Sequence, residues 1–369
     1  MRIVFAGGGT GGHLYPGLAI ARAVQRLRPD IQPYFVGARR GVERDVLPGT
    51  GYPYVLLDLH PLYRTRVWNN WRTAAGLVTA WRGIGRVVRE ERPALIVGTG
   101  GYAAGAALAY GVVHGIPIAQ QASDALPSLT TRLFSRWSRE VYLAIPEAAG
   151  HLRARSPDAL VDTGAPIEPP PPLGSRPGKA AARGVWGFPQ DAIVVLVYGG
   201  SQGSLALNRA VATWIQGGGL PNRVHVIWGT GKATFGKFEH LASDRVKVLS
   251  YLSPITSAYA AADLAVTRAG MMTIAELCAW GIPAVLVPLP SAAADHQTKN
   301  AKALEGAGAA MFLPQSELSE RLGNTVAGLL SDPRKLDALA RTAASRARPQ
   351  AAEEIARRVI ALADRNRAS

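Results

Sequence analysis

The sequence predicts an α/β protein of two Rossmann-like domains, each a parallel sheet covered by helices, joined by a proline-rich linker. Three observations carry this. The chain has 369 residues, too many for one core and about right for two domains. Apolar, β-rich runs alternate with helical stretches throughout both halves. The two halves also echo one another, because MRIVFAGGGTGG and AIVVLVYGGSQG both run from an apolar strand into a glycine loop.

In order, the strands of the first half are RIVFA, PYFVG, YVLLDL, ALIVG and PIAQQ. The second half supplies IVVLVYG, VHVIWG, VKVLSYL, LAVTR and AVLVPL. Residues 93–121 hold no Asp, Glu, Lys or Arg and read on hydropathy as a membrane span. Six glycines and Pro117 divide that stretch into strand, loop, short helix and strand, the pattern of a buried α/β segment. Between the halves, VDTGAPIEPPPPLGSRPGK carries six prolines. Proline has no amide donor and continues neither ladder nor helix, so a linker is expected over 164–178, between domains at 1–163 and 179–340. From about residue 332 the chain is rich in Ala and Arg and helical in period.

Composition narrows the setting. Nearly half of the residues are apolar, which excludes wholesale disorder. The single cysteine, Cys278, allows no disulfide within the chain and suits a reducing cytosol. The first apolar run, residues 3–6, is too short for a signal-peptide core. A formal net charge of +15 attracts polyanions: nucleic acid, anionic lipid or phosphorylated substrates. No nucleic-acid motif accompanies it, and an arginine-rich coding bias is the plainer explanation.

Residues 7–12 contain five glycines. A glycine loop between strand and helix lets amides approach a ligand, and the helix N-terminus adds unpaired N–H groups and partial positive charge, which suits phosphate. Gly7, Gly9 and Gly12 satisfy G-x-G-x-x-G, although a tight turn with no ligand also would. A dinucleotide site expects an acid after the second strand to hold a ribose. Here PYFVG runs into Ala38, Arg39 and Arg40, which leaves room only for an NADP-dependent oxidoreductase. His13 follows the loop at the expected helix start.

The loop at 199–203 repeats the arrangement in the second half. Two phosphate-type loops facing each other across a cleft suggest a nucleotide sugar between two domains. A third stretch, TRAGMMTIAELCAWGIPAVLVPLPSAAADHQTKNA, opens a helix whose first turns carry Thr273 and Glu276 and later offers Asp295, His296, Gln297 and Asn300. A carboxylate at a helix start can accept both hydroxyls of a ribose; alternatively Glu276 answers the helix dipole.

With these residues in hand, the chain resembles the MurG family along nearly its whole length. The carriers are GGGTGGHLYPGLAIA, GTGGYAAG, GIPIAQQASDALPSLTTRL, TGAPI, YGGSQGSLALN and the long third stretch. That family moves N-acetylglucosamine from UDP-GlcNAc to undecaprenyl-pyrophosphoryl-MurNAc-pentapeptide, lipid I, making lipid II for peptidoglycan. The resemblance implies a GT-B fold, with a C-terminal helix, residues 341–369, crossing back onto the N-domain. It implies donor roles for Ser201 and Gln202 at the diphosphate and Leu252 at uracil. Met271, Met272 and Thr273 would wrap the phosphates, Glu276 would bind the ribose and Gln297 the sugar. Gly9, Thr10, Gly11, Gly12, His13, Gly100, Gly101 and Tyr102 would meet the acceptor. Thr10, Gly11 and Gly12 would also reach the donor.

Two stretches depart from the family. Gln121, Ala122, Ser123 and Asp124 stand where members usually read His-Glu-Gln-Asn. Ala165, Pro166, Ile167 and Glu168 stand where they read Asn-Pro-Val-Arg, so an acid replaces a phosphate-facing arginine. A paralogue with another lipid-linked acceptor, or one that has lost turnover, would also fit.

Family chemistry inverts the anomeric centre, which needs a base on the acceptor hydroxyl and stabilisation of departing UDP. His13 is the expected base and Asp124 the alternative. No metal or other cofactor is implied. The lipid-linked acceptor places the enzyme peripherally at the cytoplasmic side of the cell membrane, on an anionic surface, near cell-wall synthesis or division proteins. Residues 63–89 interleave Trp68, Trp71 and Trp81 with arginines and no acid. They read either as a lipid-facing patch or as a helix that buries Trp71, Val78 and Trp81 in the core.

Overall fold

A computed structural model describes residues 1–58, 70–200 and 202–368. The chain divides into two compact units, Met1–Glu168 with Arg348–Ser369, and Pro169–Ala347.

The first unit runs β1 (Arg2–Gly7), α1 (Gly11–Leu27), β2 (Gln32–Ala38), α2 (Glu43–Val46), β3 (Tyr54–Leu57), α3 (Asn70–Glu91), β4 (Leu95–Gly100) and α4 (Gly101–Val113). It continues with β5 (Ile118–Ala122), α5 (Leu129–Phe134), β6 (Val141–Leu143) and β7 (Leu160–Asp162). Among the described residues the strands form one parallel sheet in the order β3-β2-β1-β4-β5-β6-β7. The order reverses between β1 and β4, and in such sheets ligands bind outside the carboxyl ends at that point. Both strands end there in glycine: Ala6 pairs with Gly98, but the register shifts so that Gly7 pairs with Gly100.

Apolar residues cover both faces of this sheet. Val4, Ala6, Ile84 and Leu108 pack on one side. On the other, Ile3 and Phe5 meet Leu14, Leu18 and Val24 of α1, together with Ile355 and Val359. The last two belong to the C-terminal helix, Ala351–Ala368, which is therefore part of the first unit's core although the second unit precedes it. Residues 163–167, at the start of the expected linker, are buried, and the boundary between units falls after Glu168.

The second unit begins with α6 (Lys179–Val185), β8 (Ile193–Tyr198), α7 (Leu205–Gln216), β9 (Val224–Gly229), β10 (Val246–Leu249), α8 (Ile255–Ala261) and β11 (Leu264–Thr267). It ends with α9 (Met271–Trp280), β12 (Ala284–Leu286), α10 (His296–Gly306), β13 (Met311–Phe312), α11 (Leu318–Leu330) and α12 (Pro333–Ser345), before α13 (Ala351–Ala368) returns to the first unit. Its parallel sheet has the order β10-β9-β8-β11-β12-β13, with the reversal between β8 and β11. The core joins Val195, Val197 and Trp228 to Leu322 and Val326 of α11.

The stretch at 93–121 is β4, α4 and β5, as expected, with the helix opening directly at Gly101. No described helix is long and apolar enough to cross a membrane. Among the described side chains of α3, Ala80, Ile84 and Val87 are buried, whereas Val78 is 55% and Trp81 37% exposed. Of the two readings of this stretch, the one that buries Val78 and Trp81 in the core is thus not met. Trp81 instead lies against Tyr110 and His114 of the neighbouring helix end, at ring distances of 4.8 and 5.8 Å. Trp68 and the side chain of Trp71 lie outside the described residues.

Candidate active site

In the first unit, the loop after β1 is shaped by side chains as much as by glycine. Thr10 precedes α1 in extended conformation, and its Oγ1 shares a hydrogen bond of 3.2 Å with His13 Nδ1. That bond orients the imidazole at the helix N-terminus. His13 is half-buried, whereas Thr10 and Gly12 are exposed. The His13 ring lies against the loop after β4: a Cβ at Gly100 would stand 2.6 Å from His13 Cδ2, and one at Gly101 would overlap the Gly8 carbonyl. Both glycines have positive φ, 103° and 76°. Gly9, at φ 92°, lies under Tyr102, whose Cε1 would be 2.9 Å from an added Cβ. The structure therefore brings together Gly9, Thr10, His13, Gly100, Gly101 and Tyr102. Gly11 packs on the Tyr15 ring, while the nearest atom to a Cβ at Gly12 is Thr10 Oγ1 at 3.8 Å.

Pro16 explains a further contact. A helical residue 16 would donate its N–H to the carbonyl of residue 12, and proline has none to give. The Ser123 hydroxyl, just after β5, reaches the Gly12 carbonyl at 3.3 Å and the Gln121 Oε1 at 2.6 Å. Thr99 of β4 donates to the His13 carbonyl at 2.7 Å. The helix start is thus tied to two strand ends. Asp124, half-buried, follows Ser123.

Beneath this loop lies Glu43 of α2, which is fully buried. Its Oε1 accepts the Gly9 N–H at 2.6 Å. A Cβ at Gly8 or Gly41 would overlap its carboxyl group, and one at Gly37 would stand 2.9 Å from its Cγ. Three glycines therefore make room for this acid, not for a ligand. Burial raises its pKa above the usual 4.5. A carboxylate so enclosed cannot face a ribose. Sequence reasoning missed Glu43, because an acid in a short polar stretch reads as solvated.

In the second unit, the loop after β8 leads through Ser204, whose Oγ caps α7 by accepting the Leu207 N–H. Ser201 lies outside the described residues. Gln202 and Gly203 press against the loop after β9: a Cβ at Gly231 would meet the Gln202 carbonyl at 2.6 Å, and one at Gly203 would overlap the Thr230 carbonyl. Asn208 of α7 braces both loops. Its Nδ2 donates to Thr230 O and Thr234 Oγ1 at 2.8 and 3.0 Å, and its Oδ1 accepts from Trp228 Nε1 at 3.0 Å.

At the end of β11 stands Arg268, 7% exposed. Its guanidinium donates to the Val287 and Pro288 carbonyls at 3.2 and 2.9 Å, and to Ser204 Oγ and Gln315 Oε1, both at 2.6 Å. All four acceptors are neutral. Burial pushes its pKa down to about 10, still a cation at neutral pH. A buried positive charge hydrogen-bonded to uncharged groups, beside a glycine loop at the sheet's switch point, is suited to an anionic ligand. Arg268 was hidden in the sequence as the last letter of the strand LAVTR.

Met271, Met272 and Thr273 form the first turn of α9, with Met271 buried. Glu276 lies one turn later, so the first turn holds no acid and the dipole explanation for Glu276 loses its footing. Its Oε2 accepts the Tyr259 hydroxyl at 2.7 Å. Gln297, at the start of α10, accepts the Leu289 N–H at 2.9 Å, and buried Asn300 donates to the Ala269 carbonyl at 3.1 Å. Leu252 follows β10, 9% exposed, against Gly229 at the end of β9.

The glycosyltransferase family 28 N-terminal domain matches residues 3–143 and the C-terminal domain of that family matches 194–355. A relative from Salinibacter ruber, named UDP-N-acetylglucosamine--N-acetylmuramyl-(pentapeptide) pyrophosphoryl-undecaprenol N-acetylglucosamine transferase, is 41% identical, covering 99% of this chain and 98% of its own. A protein of the same name from Porphyromonas gingivalis is 37% identical over 96% of this chain and 94% of its own. Among solved structures, Acinetobacter baumannii MurG superposes with a TM-score of 0.77 at 26% identity, covering 98% of this chain and 99% of that one. The kitacinnamycin glycosyltransferase, at 18% identity and a TM-score of 0.67 over 96% and 98%, shares the fold.

Proposed function

This chain belongs to the UDP-N-acetylglucosamine–N-acetylmuramyl-(pentapeptide) pyrophosphoryl-undecaprenol N-acetylglucosamine transferases of glycosyltransferase family 28, and from that premise we propose how its residues divide the work. The reaction moves N-acetylglucosamine from UDP-GlcNAc to lipid I, giving lipid II for peptidoglycan. The observation that carries this is similarity at 41% identity across 99% of the chain to a relative bearing that name. The oxidoreductase reading is set aside, since those relatives are transferases.

In the transfer, the C4 hydroxyl of MurNAc attacks the anomeric carbon, UDP leaves, and the configuration inverts. The acceptor proton goes to the His13 imidazole, which Thr10 orients through Nδ1. The amides at Gly11 and Gly12 take the acceptor pyrophosphate at the positive end of α1. The second unit holds the donor. Its diphosphate lies at Gln202, Ser201 and the first turn of α9, within the field of Arg268. The ribose hydroxyls donate to Glu276, Leu252 meets uracil and Gln297 the sugar. Charge that develops on departing UDP is spread over amides already in place.

We place the enzyme on the cytoplasmic membrane surface through α3. Exposed Val78 and Trp81 share that helix with exposed Arg82, Arg86 and Arg89, a combination suited to anionic headgroups. The test of the function is direct: incubation with labelled UDP-GlcNAc and a short-chain lipid I analogue. Label in the lipid-linked disaccharide is the expected result. Donor binding without product would leave a binding-only relative.

A further inference from the structure

The Glu276 carboxylate does not stand alone in the second unit. It terminates a chain of hydroxyls that begins at the end of β8. Tyr198, the last residue of β8, is 6% exposed, and Tyr259 of α8 is 3% exposed. Their hydroxyls are 2.8 Å apart, and that of Tyr259 reaches Glu276 Oε2 at 2.7 Å. An ionised carboxylate only accepts, so the Tyr259 proton must point to Glu276. The Tyr259 oxygen is then left to accept from Tyr198. Every proton in the chain has one consistent direction, ending at Glu276. Burial raises the pKa of both tyrosines well above 10, which keeps them protonated and able to donate.

We infer that Tyr259, backed by Tyr198, is a positioning residue for nucleotide recognition: it fixes the Glu276 carboxylate so that it accepts the ribose vicinal diol. The inference rests on the ribose role proposed for Glu276. Its physical content is pre-organisation. A glutamate has three side-chain torsions, and one on a helix flank samples several rotamers unless something holds it. A buried phenol at 2.7 Å sets the plane of the carboxylate before ligand arrives. It also occupies acceptor capacity on Oε2, so the carboxylate is matched to two hydroxyl donors from one ligand. The chain has a second consequence. Tyr198 is followed immediately by the glycine loop, so the strand end that leads into the loop proposed for the diphosphate is wired to the carboxylate proposed for the ribose.

The experiment titrates UDP and 2′-deoxy-UDP into the full-length protein and its Tyr259→Phe, Tyr198→Phe and Glu276→Ala variants. Wild type should prefer UDP. Tyr259→Phe keeps the ring and should weaken UDP by about three- to tenfold, the scale of one hydrogen bond, while moving 2′-deoxy-UDP much less. Tyr198→Phe should do the same to a smaller extent. Glu276→Ala should abolish the preference. Equal losses for both ligands in Tyr259→Phe would make the tyrosine a packing residue and overturn the inference, as would unchanged UDP binding. If Glu276→Ala abolishes the preference while both tyrosine variants keep it, the tyrosine role alone falls. If Glu276→Ala keeps the preference, the ribose reading falls and the inference with it.

Discussion

The loops after β1 and β8 share a design, a strand running through glycines into a helix at the point where strand order reverses, yet opposite charges lie beneath them. Under the first is Glu43, fully buried, accepting from Gly9. Under the second is Arg268, 7% exposed, donating to four uncharged oxygens. The first loop has spent one of its amides on a buried acid, which opposes the positive end of α1. The second has a fixed cation added to the positive end of α7. On electrostatics alone, the second site is the better place to hold a nucleotide diphosphate, and the first is suited to a more lightly held group and to proton transfer. Two loops with one sequence signature are thus set up for different work by residues far from either in sequence.

The comparison can be broken most forcefully at His13. His13→Ala should lower turnover by about a hundredfold or more, the scale of general acid–base catalysis, in a steady-state transfer assay. Near-normal turnover would move the base elsewhere, with Asp124 the next residue to replace. Beneath the other loop, Arg268→Met preserves volume and removes the cation. UDP affinity should fall by about ten- to a hundredfold, the worth of one charge-assisted interaction, with thermal unfolding still cooperative. A variant that binds UDP as wild type would show that the cation serves only the fold.

Two glycines sharpen the contrast between space needed by the fold and space reserved for ligand. Gly100→Ala puts a Cβ 2.6 Å from the His13 ring at a φ of 103°, and should cost about 1–3 kcal/mol in denaturant unfolding. Gly12→Ala meets nothing closer than 3.8 Å and should change stability by less than about 0.5 kcal/mol. If it nevertheless lowers acceptor turnover, the space above Gly12 belongs to the acceptor pyrophosphate.

The smallest effect is a pH dependence. The folded-state pKa of Glu43 is raised above 4.5, so between 4.5 and that raised value the folded chain binds more protons than the unfolded one. Stability from this group therefore declines as pH rises through that window. Glu43→Gln cannot titrate, so the stability of wild type relative to the variant should decline as pH rises from 4.5 and level off above the folded pKa. A flat difference in unfolding free energy from pH 4 to 7, on the order of experimental error, would show that Glu43 is not perturbed by its burial.

What was legible in the sequence follows from what is local. Ten of the described strands and their alternation with helices were readable, because periodicity and glycine punctuation are properties of contiguous residues. The missed strands, β6, β7 and β13, have only two or three residues each and no room to show a period; β12 is as short but lies within the longer apolar run AVLVPL. The tail read as one helical stretch is α12 and α13, divided around Pro349. At the site, His13, Thr273 and Glu276 could be found from their place after glycine loops. Glu43, Arg268, Tyr198 and Tyr259 could not, since each gains its meaning from a partner on another element. A buried acid and an exposed one are spelled alike.

The division of labour is tested most directly by titrating UDP-GlcNAc into wild type, His13→Ala and Glu276→Ala by calorimetry. Binding to His13→Ala should match wild type, and binding to Glu276→Ala should weaken by about 1.5–3 kcal/mol, the loss of a charge-assisted hydrogen bond. Weak donor binding in His13→Ala with normal binding in Glu276→Ala would contradict the account, because it would put the nucleotide sugar on the first loop instead of the second.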